Sequence, residues 1–319
     1  MFSNTFCLVS IRRQAEPSTG ENISAMNNII RECLPPDRNP RKPSFTLPTG
    51  SIDTHVHVFD PRYTLSPARG YTPPDSTLND LLHLHKTLGL DRVVFTQPSI
   101  YGTDNSAILD GMNALNTDTP NRARAVVAVT MDITDQELEE FDALGVRGIR
   151  LNTDNKGGMP IELNQISILA DRIVDLGWHL EFLFPGKDIV DLIPTFTSLA
   201  VPISIGHFAY QPATAGIDAR GFQALLDLMR GGNTWIKISG ANRVSETDLP
   251  PYDDVKPMAH ALIEAAPDKV MWGTDWPHPN KYEVNPNDGD LVNAFGDWVA
   301  EGSLRQSIMV DTPAAFYRF

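Results

Sequence analysis

The stretch SIDTHVHVFDP, residues 51–61, puts His55 and His57 one residue apart in an apolar run. Side chains alternate along a β-strand, so residues at i and i+2 share a face. The two imidazoles therefore stand together at a strand end. Such a pair suits metal ligation, proton transfer or hydrogen bonding to developing negative charge. Which of these applies depends on the sheet the strand belongs to.

Seven more short runs rich in β-branched residues follow: DRVVFTQ (91–97), RAVVAV (124–129), VRGIRLN (146–152), WHLEFLF (178–184), PISIGHF (202–208), TWIKISG (234–240) and KVMWGTD (269–275). Longer amphipathic runs separate them. STLNDLLHLHKTLG (76–89) has Ser76 as a suitable N-cap and closes on Gly89. TDQELEEFDALG (134–145) opens with Thr134, has Glu137 three residues on as a capping box, and stops at Gly145. Helical runs at 104–116, 164–177, 186–200, 220–232 and 255–267 complete the alternation, and two more follow the last strand. Eight strands alternating with helices predict an α/β fold, a parallel (β/α)8 TIM barrel. The span from Ser51 to Phe319 is close to the roughly 250 residues typical of that fold. An open doubly wound sheet alternates in the same way, but it carries a Gly-rich phosphate turn after its first strand. Residues 58–75, VFDPRYTLSPARGYTPPD, contain no G-x-G-x-x-G.

Composition is that of an ordinary globular chain, 41% hydrophobic and 21% charged. A formal net charge of −14 argues against nucleic acid or an anionic membrane as partner. No apolar run approaches the 18 or so residues of a membrane span. Cys7 and Cys33, the only cysteines, both lie near the N-terminus, so the body has neither a disulfide framework nor a thiolate site. A cytoplasmic location fits. Residues 1–46 read as a separate tail, partly extended or disordered, and 47–319 as the barrel domain. In the tail the arginines follow the apolar patch, against the order of a secretory signal. A cleavable transit peptide stays open, though Glu16 and Glu21 oppose it. Nothing indicates an oligomeric state.

In such a barrel the reacting groups sit at the C-terminal strand ends. Strand one supplies His55 and His57, and the loop after strand two Ser99 and Tyr101. Strand four supplies Arg150 and Asn152, with Lys156 in its loop. Strand six gives His207, the turn after strand seven Arg243, and strand eight Asp275, with His278 and Asn280 beyond it. Taken singly, His207 reads as a structural histidine, Asp275 as a turn cap and Arg150 equally well as a partner for a helix acid. His83, His85 and His260 lie in helical runs with no expected role. His179 and Glu181 share strand five, and the sequence does not say which faces inward. The HVH pair followed by His and Asp on much later strands is what points to a site.

DTHVH (53–57), His207 and GTDWPH (273–278) resemble the amidohydrolase superfamily. YGTDN (101–105), GVRGIRLN (145–152) and WGTDWPHPN (272–280) are similar to its 2-pyrone-4,6-dicarboxylate lactonase-like branch, from about Leu47 onward. Many members of the superfamily hold one or two divalent ions. They use the strand-one pair, a carbamylated lysine or glutamate on strand four, histidines on strands five and six and the strand-eight aspartate. Here GIRLN offers no Lys or Glu, and LEFLF no histidine near its end, so two metals are not expected. A single Zn2+ on His55, His57 and Asp275, with or without His207, stays chemically open. The branch includes enzymes that work without metal, and no metal is the expectation.

The resemblance implies ring opening of a small anionic lactone, either 2-pyrone-4,6-dicarboxylate or a related muconolactone. Asp275 would be the general base, and His55, His57 and His207 would donate hydrogen bonds to the carbonyl oxygen. Tyr71, Ser99, Arg150, Lys156, Arg243, His278 and Asn280 match positions that hold the substrate's carboxylates, and Tyr101 stands in for a histidine there. Lys156 stands where arginine is expected and Leu183 where tyrosine is, which puts the exact lactone in doubt. Sugar-acid lactone isomerisation, metal-dependent decarboxylation and a non-catalytic organic-acid-binding barrel are the alternatives.

Overall fold

A computed structural model describes residues 30–153 and 161–319. Eight strands form one sheet in sequence order, every pair parallel. They are β1 (Ile52–Val56), β2 (Arg92–Thr96), β3 (Ala123–Val127), β4 (Val146–Asn152), β5 (His179–Leu183), β6 (Ile203–Ile205), β7 (Thr234–Lys237) and β8 (Val270–Met271). The last strand meets the first: Thr54 N–H donates to Trp272 O at 3.3 Å and Asp275 N–H to His55 O at 3.0 Å. The expected barrel is the one observed.

Helices α1 (Leu78–Leu88), α2 (Ser106–Asp118), α3 (Asp135–Leu144), α4 (Ile166–Ile173), α5 (Ile189–Ser198), α6 (Arg220–Arg230), α7 (Lys256–Ala265) and α8 (Asp288–Trp298) surround it. Thr134 caps α3 with the expected box to Glu137, and Gly145 ends it at φ 114°. The cap of α1 is Thr77, boxed with Asp80, and not Ser76. Ser76 is held extended because its N–H and C=O both bond Phe59, at 2.7 and 2.8 Å. No helix among the described residues is long and apolar enough to cross a membrane.

Ile52, Val94, Val126 and Met271 close the barrel floor together with Tyr317 from the last helix. Each such aliphatic side chain contributes roughly 1.5–3 kcal/mol by leaving water. The C-terminus is tied down by Arg124, whose guanidinium donates to Arg318 O and Tyr317 O. At the opposite end, residues 30–46 of the tail run extended over the mouth loops. Cys33 N–H bonds Thr72 O at 2.8 Å, Leu34 N–H bonds Lys281 O at 2.9 Å, and Asn280 N–H reaches Cys33 Sγ at 3.2 Å. Residues 1–29 lie outside the described part.

Candidate active site

The C-terminal strand ends open onto a pocket lined by His57, Tyr71, Ser99, Arg150, Asn152, Leu183, His207, Tyr210, Arg243, Asp275, Pro279 and Asn280. His55 forms its base, with ring centroids 5.0 Å from His57 and 4.7 Å from His207. A register irregularity between Asp53 and Val56 lets both Ile52 and His55 face inward. Asp53 turns outward, where its carboxylate accepts from Thr274 Oγ1 and lies 3.2 Å from His85 Nε2 on α1. His85 thus anchors the wall.

Asp275 is fully buried and takes a left-handed φ of 63°. His207 takes φ 53°. A non-glycine residue held there costs of order 1–3 kcal/mol, a strain that concentrates at functional sites. Asp275 Oδ2 accepts from Arg243 Nε at 2.6 Å. Asp275 Oδ1 lies 3.6 Å from His207 Nε2 and 3.9 Å from His55 Nε2. Neither Oδ1 nor His55 Nε2 has a hydrogen-bond partner among the described residues. Burial pushes the Asp275 carboxyl up, but the charge of Arg243 and its short hydrogen bond outweigh it and hold the group well below the usual carboxylate range. It is ionised.

The histidines are neutral. Burial, with Arg150 close by, lowers His57 to about 3. Burial lowers His207 to about 3 against the pull of Asp275, and drives His55 far down as well. Hydrogen bonds then fix where the protons sit. His57 Nδ1 is 2.7 Å from Thr96 O, which can only accept, so Nδ1 carries the proton and Nε2 keeps its lone pair. This corrects the expectation that all three histidines donate, because a neutral His57 offers the pocket an acceptor. His207 Nδ1 faces Ser239 Oγ at 3.0 Å, a hydroxyl able to donate, while Nε2 faces the carboxylate of Asp275. That places the proton of His207 on Nε2.

Arg150, 4% exposed, is oriented by Nη1 donating to Gln97 O at 2.7 Å. Arg243 is braced by Nη2 donating to Pro279 O at 3.1 Å. A buried guanidinium from Arg150 and a largely buried one from Arg243 on one small pocket favour an anionic guest. Tyr71, Ser99 and Asn280 line the same pocket. Two expected contacts do not arrive there. His278 Nε2 pairs with Asp288 on the first turn of α8 at 3.0 Å, both side chains fully buried. Tyr101 accepts from Asp60 N–H at 3.2 Å and packs edge-on to Tyr63. A buried imidazole and a buried phenol each need a polar partner, and the loops supply one away from the pocket. Lys156 lies outside the described residues. Leu183 does form part of the wall, so an apolar surface stands where the resemblance leads one to expect a hydroxyl.

The sequence left the direction of Glu181 open and passed over Lys237. Lys237 on β7 and Glu181 on β5 meet inside the barrel with Nζ 2.5 Å from Oε2, directly beneath His55. The signal was present: a lysine inside TWIKISG and a glutamate inside LEFLF are opposite charges in otherwise apolar strands.

Ligand atoms of His55, His57 and Asp275 lie within 4.8 Å of one another. With His55 Nε2 and Asp275 Oδ1 both unpartnered, the set fits one small divalent ion. Glu181, the strand-five carboxylate, is engaged by Lys237.

The sequence profile of the amidohydrolase family matches residues 52–319. The chain is 37% identical over 297 residues to the 4-sulfomuconolactone hydrolase of Hydrogenophaga intermedia, an overlap of 91% of this chain and 95% of that one. It is 36% identical over 289 residues to the 2-pyrone-4,6-dicarboxylate hydrolase of Comamonas testosteroni, covering 88% and 93%. The structure of a probable 2-pyrone-4,6-dicarboxylic acid hydrolase from Acinetobacter baumannii, with citric acid bound, matches at a TM-score of 0.74 and 26% identity, over 85% of this chain and all of that one. This chain belongs to the amidohydrolase family.

Proposed function

We propose that the protein opens the ring ester of a small dianionic lactone by hydrolysis, without a metal. The observation that carries this reading is the unpartnered Asp275 Oδ1 facing His207 and His55 beneath a mouth walled by Arg150 and Arg243. The named activities of the two similar hydrolases supply the substrate class.

In the proposed reaction, Arg150 and Arg243 hold the substrate's acidic groups and present the ring carbonyl to the histidines. Asp275 Oδ1 takes a proton from a water as its oxygen bonds to the carbonyl carbon. The Nε2–H groups of His207 and His55 then stabilise the tetrahedral oxyanion. The ring C–O bond breaks as that oxyanion collapses, and the proton held on Asp275 passes to the leaving oxygen. His57 Nε2, a lone pair, helps to orient the water. At rest Asp275 is a weak base because Arg243 holds it. A substrate carboxylate that shares the guanidinium draws off part of its charge and raises the basicity of Asp275 when it is needed.

The zinc reading rests on the cluster of His55, His57 and Asp275. An ion held by these three residues would supply Lewis-acid polarisation of the carbonyl. The local charge favours the metal-free reading, because Arg243 already engages the single carboxylate that such an ion would share and the charges of Lys237 and Arg150 act on His55 beside it.

The test is hydrolysis of 2-pyrone-4,6-dicarboxylate and of 4-sulfomuconolactone, each with and without chelator, alongside metal analysis of the purified protein. Turnover unaffected by chelator in metal-free protein is expected. Stoichiometric zinc with chelator-sensitive turnover would replace this reading with the second one. A ring shift without acid product would make the enzyme an isomerase.

A further inference from the structure

Beneath the reacting groups lies a charged pair that the hydrolytic scheme has not used. Lys237 is fully buried, and Glu181 is 1% exposed. Lys237 Nζ donates to Thr54 O at 2.8 Å and to Glu181 Oε2 at 2.5 Å, and it stands 3.3 Å from His55 Nδ1. An ammonium has three protons and no lone pair, so it only donates. Two protons have oxygen acceptors, and the third meets the imidazole. Protonated Nδ1 would put donor against donor there, so Nδ1 must be the lone-pair nitrogen and the His55 proton belongs on Nε2. The other side of the ring agrees, since Nε2 faces a carboxylate oxygen of Asp275 at 3.9 Å.

The alternative partner is explicit. Glu181 Oε1 lies 3.5 Å from His55 Nδ1 and would pull a proton onto that nitrogen if Lys237 were absent. Lysine and glutamate therefore compete for one ring nitrogen, and in this geometry the lysine is closer. The outcome separates the two histidines of the pair. His57, bonded through Nδ1–H to Thr96, shows the pocket a lone pair, whereas His55 shows it an N–H. A donor and an acceptor side by side suit an oxyanion and a water, and only His57 is ready as a metal ligand.

We infer that Lys237, with Glu181 as its counter-ion, is a positioning residue that locks His55 in the Nε2–H tautomer and so makes it an oxyanion donor in place of a metal ligand. The inference rests on the metal-free reading above for its catalytic consequence, but the tautomer itself is independent of it. A charge pair buried this deeply offers little net stability over apolar residues of similar volume, which leaves its orienting role as the reason for its place.

The experiment is 15N NMR of histidine-labelled full-length protein, with His55 assigned by His55→Asn, combined with steady-state kinetics. In the unaltered protein His55 should show a protonated Nε2 and a bare Nδ1. Lys237→Met should move the proton to Nδ1, where Glu181 accepts it. It should also lower kcat by about 100-fold, the scale of one lost oxyanion donor, with KM little changed. If that variant does not fold, Lys237→Met with Glu181→Met removes the stranded carboxylate. It should then show a mixture of tautomers and a loss in kcat of a few-fold, in step with the Nε2–H fraction that remains. A bare Nε2 on His55 in the unaltered protein overturns the inference, as does an unchanged kcat in a folded Lys237 variant. A protonated Nε2 together with chelator-sensitive turnover would overturn the metal-free reading and leave the tautomer assignment standing.

Discussion

Arg243 and Asp275 share one short contact, Nε to Oδ2 at 2.6 Å, and it leaves the second carboxylate oxygen facing two imidazoles. The arginine fixes the carboxylate plane and keeps it ionised against the cost of full burial. Oδ1 alone is then available to a water. One residue thus anchors the base, and the geometry also limits how basic it is until a substrate arrives.

The first prediction concerns that base. Asp275→Asn keeps the shape and an oxygen for Arg243 but cannot take a proton. Turnover should fall by roughly 10²–10⁴-fold, while binding of a dicarboxylate inhibitor, measured by calorimetry, should persist. Turnover within tenfold of the unaltered protein would remove Asp275 from the role of base.

Activity and stability should respond differently to acid. Asp275 is ionised well below pH 5 and the histidines near it are already neutral, so kcat/KM should be flat from pH 6.5 to 8. Stability should not be flat below that range. His57, His179 and His207 have folded-state values of about 3, against 6.5 for the free side chain. Between those values the unfolded chain binds more protons, so stability falls as pH falls through the window, by roughly 1.4 kcal/mol per pH unit for each fully engaged site. Asp275, depressed in the folded state, adds its loss once the pH falls towards and below the 3.8 of a free aspartate. Melting temperature against pH should therefore drop from about pH 6.5 downward. A melting temperature constant to pH 4.5 would mean that these rings are not held neutral.

The barrel was legible because parallel strands buried on both faces read as short β-branched runs, and Gly89 and Gly145 marked the helix ends. His55, His57, His207 and Asp275 were legible because strand ends of a closed barrel converge whatever their separation in sequence. Side-chain direction within loops was not. His278 Nε2 and the Tyr101 hydroxyl find their partners in Asp288 and the Asp60 N–H, and no spacing rule announces that. Nor does the pattern HVH show that its two rings carry their protons on different nitrogens. That difference comes from Thr96 O and Lys237, which reach the rings from other strands.

Arg150 and Arg243 should separate when each is replaced. Loss of a charge-assisted hydrogen bond costs roughly 1.5–3 kcal/mol, so Arg150→Ala should raise KM for a dianionic lactone by about 10- to 150-fold with a smaller change in kcat. Arg243→Ala should raise KM similarly. It also removes the charge that holds Asp275 down, so the base titrates at higher pH and an acid limb enters the kcat/KM profile. Arg243→Lys should restore part of the profile and less of the KM, because lysine keeps the charge and loses the fork. Unchanged KM in both alanine variants would sink the carboxylate clamp.

Gly240 offers a test of how tightly the site is packed. Its φ is 61°, and a Cβ there would lie 2.8 Å from His207 Nδ1, 3.1 Å from Arg243 Cδ and 3.2 Å from Asp275 Oδ2. One methyl group would thus press on three site residues at once. Gly89 is left-handed in the same way, φ 86° and ψ 34°, with nothing within 4 Å of the added carbon, so Gly89→Ala carries the backbone strain without the collision. Both variants should lose stability, on the order of 1 kcal/mol from the left-handed φ. Only Gly240→Ala should also lose activity, by about 100-fold, since a displacement of an ångström at the reacting groups costs that much. Paired measurements of kcat/KM and melting temperature decide it. Full activity in Gly240→Ala would show that His207, Arg243 and Asp275 can yield together, and that their close packing is not what sets the geometry of the site.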